Sequence, residues 1–138
     1  MSHPLLITAT VATKIVKLYL DGKILDEQIK QLDYAHEVID TKIANRIQVN
    51  EAKLDLFKTT GKSITKQIYH YFEPDNERFK LDYQRGQKLK HLYDICDNDT
   101  IKRAIENELC SHVDQMIDKT ANLGFLGGFL KNTVKLIG

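Results

Sequence analysis

Residues 25–59 read LDEQIKQLDYAHEVIDTKIANRIQVNEAKLDLFKT, and this stretch decides the fold. Its large apolar side chains recur every three or four residues, a spacing that places them on one face of an α-helix. The stripe, which includes two polar residues, consists of Leu25, Ile29, Leu32, His36, Ile39, Ile43, Ile47, Asn50, Leu54 and Phe57. The spacing predicts one long helix over 26–59, on the order of 50 Å in length.

The phase of this stripe predicts how the long helix packs. The stripe begins as a heptad and then drifts, because Arg46 and Lys53 occupy positions where a heptad would place apolar residues. Ile47 and Leu54 take over beside them. Such a drift is typical of a nearly straight helix with about 3.6 residues per turn, so we expect a bundle rather than a long coiled coil.

The segment before the stripe, residues 5–20, is apolar and contains several β-branched side chains. Asp21-Gly22 follows it, a pair that suits the turn of a β-hairpin and equally the end of a helix. We favour a helix that Gly22 ends, with Asp26 capping the next helix through its side chain. The hairpin stays open as the alternative.

The rest of the chain predicts shorter helices that begin at capping residues and end at glycine or proline. Gly61 ends the long helix, Ser63 caps the next one and Pro74 ends that one. Further helices are predicted from Asp75, from the polar turn Asp97-Asn98-Asp99 and from about Leu123. The predicted fold is an all-α bundle of five or six helices, arranged as a single domain over residues 1–138.

Composition narrows the class of protein. The chain has 138 residues, of which 42% are hydrophobic and 28% charged, as in an ordinary globular domain. Its 20 basic and 19 acidic side chains give a formal charge of +1, which argues against a dedicated nucleic-acid binder. Cys96 and Cys110 lie in apolar helical patterns as reduced thiols would, so we expect a cytoplasmic protein, with membrane association as the alternative.

The sequence contains residues that suggest catalytic or metal-binding motifs, but their spacing does not fit those motifs. Gly61-Lys62-Ser63 is similar to the end of a phosphate-binding loop, but the position that needs another glycine is Leu56. The side chains that suggest a zinc site are His91, Cys96, Cys110 and His112. Cys110 and His112 are two residues apart on a predicted helix and point to nearly opposite sides. We predict no enzyme, no cofactor and no metal.

Three polar side chains occupy positions on apolar stripes: His36 and Asn50 on the long helix and His112 on the helix predicted after Asp99. A histidine in a helix contact can make that contact depend on pH. A buried asparagine can fix the register of two helices. These three are the candidate pH-sensitive or register-setting residues. The commoner role of such a residue is that of a buried polar side chain whose hydrogen bonds are made within the protein.

The helix predicted after Pro74 is locally basic between residues 78 and 91. The candidate contacts for nucleic acid are Arg78, Arg85, Lys88 and Lys90. Phe79, Tyr83 and Tyr93 are interleaved with them, a combination that suits single-stranded nucleic acid. Because the basic residues are spread around the helix, a solvated helix face is the favoured interpretation.

The C-terminal segment, residues 123–138, is glycine-rich and amphipathic and carries lysines without any acidic residue. Gly124 and Gly128, four residues apart, would allow another helix to approach closely. Such a segment can dock onto the bundle, bind a groove in a partner or lie in the interface of an anionic membrane. The predicted contact residues are Phe125, Leu126, Phe129, Leu130, Lys131 and Lys135.

These patterns predict a non-catalytic helical interaction protein: an adaptor, regulator or inhibitor that presents a helical surface to another protein. Homodimerisation would use the long helix or the C-terminal segment. The alternative is a peripheral membrane protein anchored by residues 123–138. A nucleic-acid accessory factor that uses residues 78–91 ranks third.

Overall fold

The computed structural model describes residues 7–32, 40–63 and 66–138. All regular secondary structure in these ranges is α-helical. The helices are α1 (Ala9–Leu20), α2 (Asp26–Gln31), α3 (Thr41–Thr60), α4 (Lys66–Phe72), α5 (Glu77–Ile95), α6 (Asp99–Ala121) and α7 (Phe125–Ile137). The predicted all-α class is confirmed, and the described ranges hold seven helices where five or six were expected.

The prediction of one continuous helix over 26–59 needs correction. α2 spans only six residues and ends at Gln31. Leu32, the residue after it, has an extended backbone with ψ of 123°. An extended residue interrupts the i→i−4 hydrogen bonds of a helix, so the predicted helix already ends here.

The second part of the predicted helix is α3, which begins at Thr41. The Asp40 carboxylate accepts a hydrogen bond from the backbone N–H of Lys42 at 2.9 Å. A short side-chain acceptor at this place satisfies a backbone donor that has no partner inside the helix. Residues 33–39, which include the candidate His36, lie outside the described ranges.

A helix rather than a hairpin forms on the N-terminal side. α1 begins after Thr8, whose hydroxyl oxygen accepts a backbone N–H of the first turn at 3.2 Å. Gly22 follows the helix with φ of 75°, a left-handed conformation that glycine adopts without steric cost. The next N-cap is Leu25 rather than Asp26, and the Leu25 N–H donates to the side-chain oxygen of Gln28 at 2.8 Å.

Asparagines cap the two longest helices of the C-terminal half. Asn76, not the predicted Asp75, caps α5, because its side-chain oxygen accepts two backbone N–H groups of the first turn at 3.0 and 3.2 Å. Asn98 caps α6 by accepting the N–H of Ile101 at 3.0 Å. The helix cap predicted within residues 97–99 is therefore confirmed, with Asn98 as the capping residue.

The described residues divide into two compact units. The first comprises the described residues up to Ile47 together with Gln87–Leu109, and the second comprises Gln48–Gly86 and Cys110–Gly138, less residues 64 and 65. α3, α5 and α6 each contribute residues to both units. The single domain expected over 1–138 stays a prediction.

The first unit has an aliphatic core. Its fully buried side chains include Val16, Ile29, Leu89, Leu92, Ile101 and Ile105. Each such side chain contributes about 1.5–3 kcal/mol by leaving water. The core therefore joins α1 and α2 to the parts of α5 and α6 that belong to this unit.

The second unit has an aromatic core. Ring centroids of Phe72 and Phe79 lie 4.8 Å apart, and those of Phe57 and Phe72 lie 5.9 Å apart. A Cβ placed on Gly86 would lie 2.6 Å from a methyl carbon of Leu54. Glycine at this position therefore lets the backbone of α5 approach the core side of α3.

α7 packs onto the second unit through a close contact between backbones. A Cβ placed on Gly127 would lie 2.7 Å from the carbonyl carbon of Thr120 and 2.8 Å from Cα of Ala121. At Gly128 the same construction meets nothing within 4 Å. The predicted close approach at Gly124 and Gly128 is therefore wrong in position, since Gly127 makes it.

Replacing each of the two adjacent glycines by alanine should have opposite effects on stability. We expect Gly127→Ala to lower the free energy of unfolding by about 1–3 kcal/mol or more, because its methyl group would overlap backbone atoms that cannot move aside easily. Gly128→Ala should raise it by about 0.5–1 kcal/mol, because alanine loses less conformational freedom in a helix. Urea unfolding followed by circular dichroism measures both.

The two variants are matched controls for each other, since they make the same chemical change one residue apart. Equal effects of the two alanines would contradict the close contact at Gly127.

Candidate functional site

α7 exposes a line of three large apolar side chains. Phe125 is 91% exposed, Phe129 63% and Leu136 88%. At about 100° per residue, the three lie within a sector of about 40° around the helix. We call this set the α7 stripe. Single exposed apolar residues are ordinary, but an aligned set indicates an interaction surface.

The opposite side of α7 is buried in the second unit. Gly127, Leu130 and Val134 are buried, and they lie about 150° around the helix from the middle of the stripe. α7 is therefore apolar on two sides. One side is docked and the other faces outward.

This arrangement sorts the contact residues predicted from the sequence. Phe125 and Phe129 lie on the exposed side, and Leu126 is half-buried beside it. Leu130 is only 1% exposed and packs in the core, which corrects its assignment as a contact residue. Leu136 was missed, because periodicity shows that α7 has two apolar sides but not which of them docks.

Two lysines lie on one side of α7, between the stripe and the docked side of the helix. Lys131 Nζ lies 3.3 Å from Asp118 Oδ1 on α6, and both side chains are partly exposed. Lys135, one turn further along α7, is exposed. Residues 119–138 contain no aspartate or glutamate. The stripe therefore has a cationic rim, and Asp118 is an acidic side chain paired to it.

The length of α7 limits how it can meet an apolar medium. Its 13 residues give it a length of about 20 Å. Across the described ranges, no helix is both long enough and apolar enough to pass through a membrane.

Asn50, a candidate register-setting residue, is 1% exposed on α3. Its side-chain N–H donates to Cys110 Sγ on α6 at 3.1 Å. The amide is thus held by a specific partner on a neighbouring helix of the second unit. This contact is of the kind that fixes which residues of two helices face each other.

His112, the other described candidate, is 6% exposed on α6. Its Nε2 donates to the backbone carbonyl of Asp82 on α5. The Asp82 carboxylate in turn accepts hydrogen bonds from Lys119 at 2.8 Å and from Tyr71 at 2.9 Å. Asp82 therefore links α4, α5 and α6, and sequence reasoning assigned it no such role.

The ionisation of this cluster follows from its burial. Burial lowers the pKa of the His112 imidazole, and the positive charges of Arg85 and Lys119 lower it further, against the opposing effect of Asp82. Burial and the Asp82 carboxylate raise the pKa of the Tyr71 phenol. The cluster therefore favours a neutral imidazole and a protonated phenol.

The candidate nucleic-acid residues lie on α5, but aromatic side chains interleaved with them are engaged in the protein. Phe79 is 8% exposed, within the aromatic core of the second unit. The Tyr83 hydroxyl donates to Asp55 at 3.1 Å, and Lys58 lies over its ring at 5.0 Å. The buried ring of Phe79 cannot stack on a base, whereas Tyr83 is half-buried. Nucleic-acid binding by this helix stays a prediction.

The basic side chains of that helix differ in their surroundings. Arg78 and Arg85 are exposed, whereas Lys90 is half-buried. Lys88 Nζ donates to the backbone carbonyl of Leu20 at 3.4 Å. Lys88 therefore contributes to the packing of α5 against the end of α1 in the first unit.

A polar triad in the first unit was missed by sequence reasoning. Asp26 accepts a hydrogen bond from the Tyr19 hydroxyl at 2.6 Å, and its other oxygen lies 2.8 Å from His91 Nε2. The hydrogen bond from Tyr19, then that from His91, lowers the pKa of the Asp26 carboxyl. Asp26 therefore ties α1, α2 and α5 together, which explains why it does not cap α2.

Metal-ligating side chains are not gathered in the described ranges. Within them, no group of three or more histidine, cysteine, aspartate or glutamate side chains could hold an ion.

Comparisons of the chain with protein-family models, with curated proteins and with solved structures found no match.

Removing the His112 imidazole should reduce the sensitivity of the protein to acid. Because the folded pKa lies below the unfolded value of about 6.5, the unfolded state binds more protons between the two values. The contribution of His112 to stability is therefore complete above the unfolded pKa of about 6.5. It is lost as the pH falls through the folded pKa. We expect the unfolding free energy of His112→Gln, which keeps an N–H donor, to fall less between pH 7.5 and 5 than that of the wild type.

Urea unfolding at several pH values measures this difference. His70→Gln is the control, since it removes an exposed histidine whose imidazole lies 3.0 Å from Glu73. If His112→Gln loses stability with falling pH as steeply as the wild type, the assigned role of His112 is wrong.

Proposed function

We propose that the protein is a non-catalytic peripheral membrane protein that attaches through the α7 stripe. The observation that carries this proposal is the exposure of Phe125, Phe129 and Leu136 along one line of a helix whose opposite side is docked. Aromatic and leucine side chains presented by a helix with lysines at its flank suit the boundary between lipid headgroups and acyl chains.

The apolar contribution of the stripe is large enough for reversible attachment. Removing one large apolar side chain from water contributes about 1.5–3 kcal/mol, and a partly inserted side chain contributes less. Binding also costs translational and rotational freedom. The three side chains together therefore support reversible attachment. Because the gain from each one is modest beside the cost of binding, attachment depends on all three.

The adaptor function expected from the sequence would use the same side of α7. Phe125, Phe129 and Leu136 have the spacing i, i+4 and i+11, which also suits a helix that binds in the groove of a partner protein. The lysine rim favours lipid over such a groove, because phosphates provide negative charge along the whole length of the helix. Protein binding is therefore the second candidate.

A stripe variant tests the membrane proposal directly. Phe125→Ser, Phe129→Ser and Leu136→Ser are combined in the full chain, and co-sedimentation with vesicles of phosphatidylcholine and phosphatidylglycerol is measured. We expect the wild type to sediment with the vesicles and the variant to bind at least tenfold more weakly, because the variant buries far less apolar surface.

Leu81→Ser is the matched control, since Leu81 is 62% exposed on α5 and outside the stripe. It should bind as the wild type does, and circular dichroism should show all three proteins folded. A wild type that stays in the supernatant at every lipid concentration would reject the membrane proposal and leave the protein-groove hypothesis.

A further inference from the structure

We infer that the α7 stripe selects anionic lipid and that Asp118 restrains this selection by occupying Lys131, a step that rests on the proposed membrane attachment. The ligand is a lipid phosphate or carboxylate group, and Asp118 is the residue that weakens its capture. The selection arises from the charges around the stripe, separately from the apolar side chains within it.

The positions of the lysines support selection of anionic headgroups. Lys131 and Lys135 are one turn apart on α7, about 100–140° around the helix from the middle of the stripe. Long lysine side chains can reach the headgroup layer while apolar neighbours lie deeper. Lys135 lies nearer to the stripe than Lys131, so a helix lying on its stripe would hold both charges above the inserted apolar side chains, where long lysine side chains can meet the headgroups.

The C-terminal segment, residues 119–138, has a net positive charge. No aspartate or glutamate occurs in residues 119–138. Lys119, the first residue of this segment, is occupied by the Asp82 carboxylate at 2.8 Å within the second unit. The cationic character of the rim therefore comes from Lys131 and Lys135.

Asp118 holds Lys131 in an ion pair that is open to solvent. Lys131 Nζ and Asp118 Oδ1 are 3.3 Å apart, and the two side chains are 37% and 66% exposed. Exposed ion pairs contribute little to stability, because water solvates both partners well. A headgroup phosphate can therefore replace the Asp118 carboxylate as the partner of Lys131. The negative charge of Asp118 then stays near the membrane and repels that phosphate.

This restraint can be relieved without touching the apolar stripe. Asp118→Asn removes one negative charge and should strengthen binding to vesicles that contain phosphatidylglycerol about fivefold, the effect of one unit charge close to an anionic surface. Lys131→Gln should weaken it by a similar factor. The double variant should return to wild-type binding, because the two charge changes cancel. On pure phosphatidylcholine all four proteins should bind alike.

Asp75→Asn is the matched control, since it makes the same change in net charge at an exposed position in the turn between α4 and α5. It should gain much less affinity for anionic vesicles than Asp118→Asn. Raising the salt concentration should reduce the gain of Asp118→Asn, because salt screens exposed charges. Circular dichroism checks that each variant is folded.

The outcomes separate this inference from the proposed function. Binding that needs the stripe but is equal on neutral and anionic vesicles, or that Asp118→Asn leaves unchanged, would overturn the inference and leave the membrane attachment standing. Absence of binding to either kind of vesicle would overturn both. A gain for Asp118→Asn on anionic vesicles alone, with the double variant at the wild-type level, is the result we expect.

Discussion

The outward orientation of the α7 stripe depends on the backbone contact between α6 and α7. Gly127 lies so close to Thr120 and Ala121 that even a methyl group would overlap backbone atoms. Leu130 and Val134 are buried on the same side of α7. With these residues directed inward, the periodicity of the helix forces Phe125, Phe129 and Leu136 outward. Gly124 starts the helix with φ of 126°, a conformation that residues with a side chain rarely adopt.

Within the second unit, polar contacts supplement an aromatic core. Asp82 receives His112 at its backbone carbonyl and Tyr71 and Lys119 at its carboxylate. Buried polar groups destabilise a protein when they lack partners, so a shared acceptor of this kind specifies how α4, α5 and α6 pack. The cluster also makes the unit sensitive to acid, because protonation gives buried His112 a positive charge that water solvates poorly.

The sequence predicts the helical class well because periodicity reports which residues share a face. It does not report where a helix is interrupted when the apolar stripe continues in phase, and Leu32 and Asp40 show this. Leu32 fits the stripe but is extended, and Asp40 caps a new helix that was expected to continue through it. Similarly, Asp75 and Asn76 are both good capping residues, and their order in the sequence does not decide which one caps α5.

The candidate site was predictable in part for a similar reason. A segment with glycines, two phenylalanines and lysines but no acid indicates a contact helix, and Phe125 and Phe129 were identified from it. Leu130 and Leu136 are both leucines on the same helix, yet one is buried and the other is 88% exposed. Their difference is decided by Gly127, whose small size permits docking on one side only. Because that docking already orders α7, a binding event at the stripe would not have to fold the helix, which removes an entropic cost that a free amphipathic peptide must overcome.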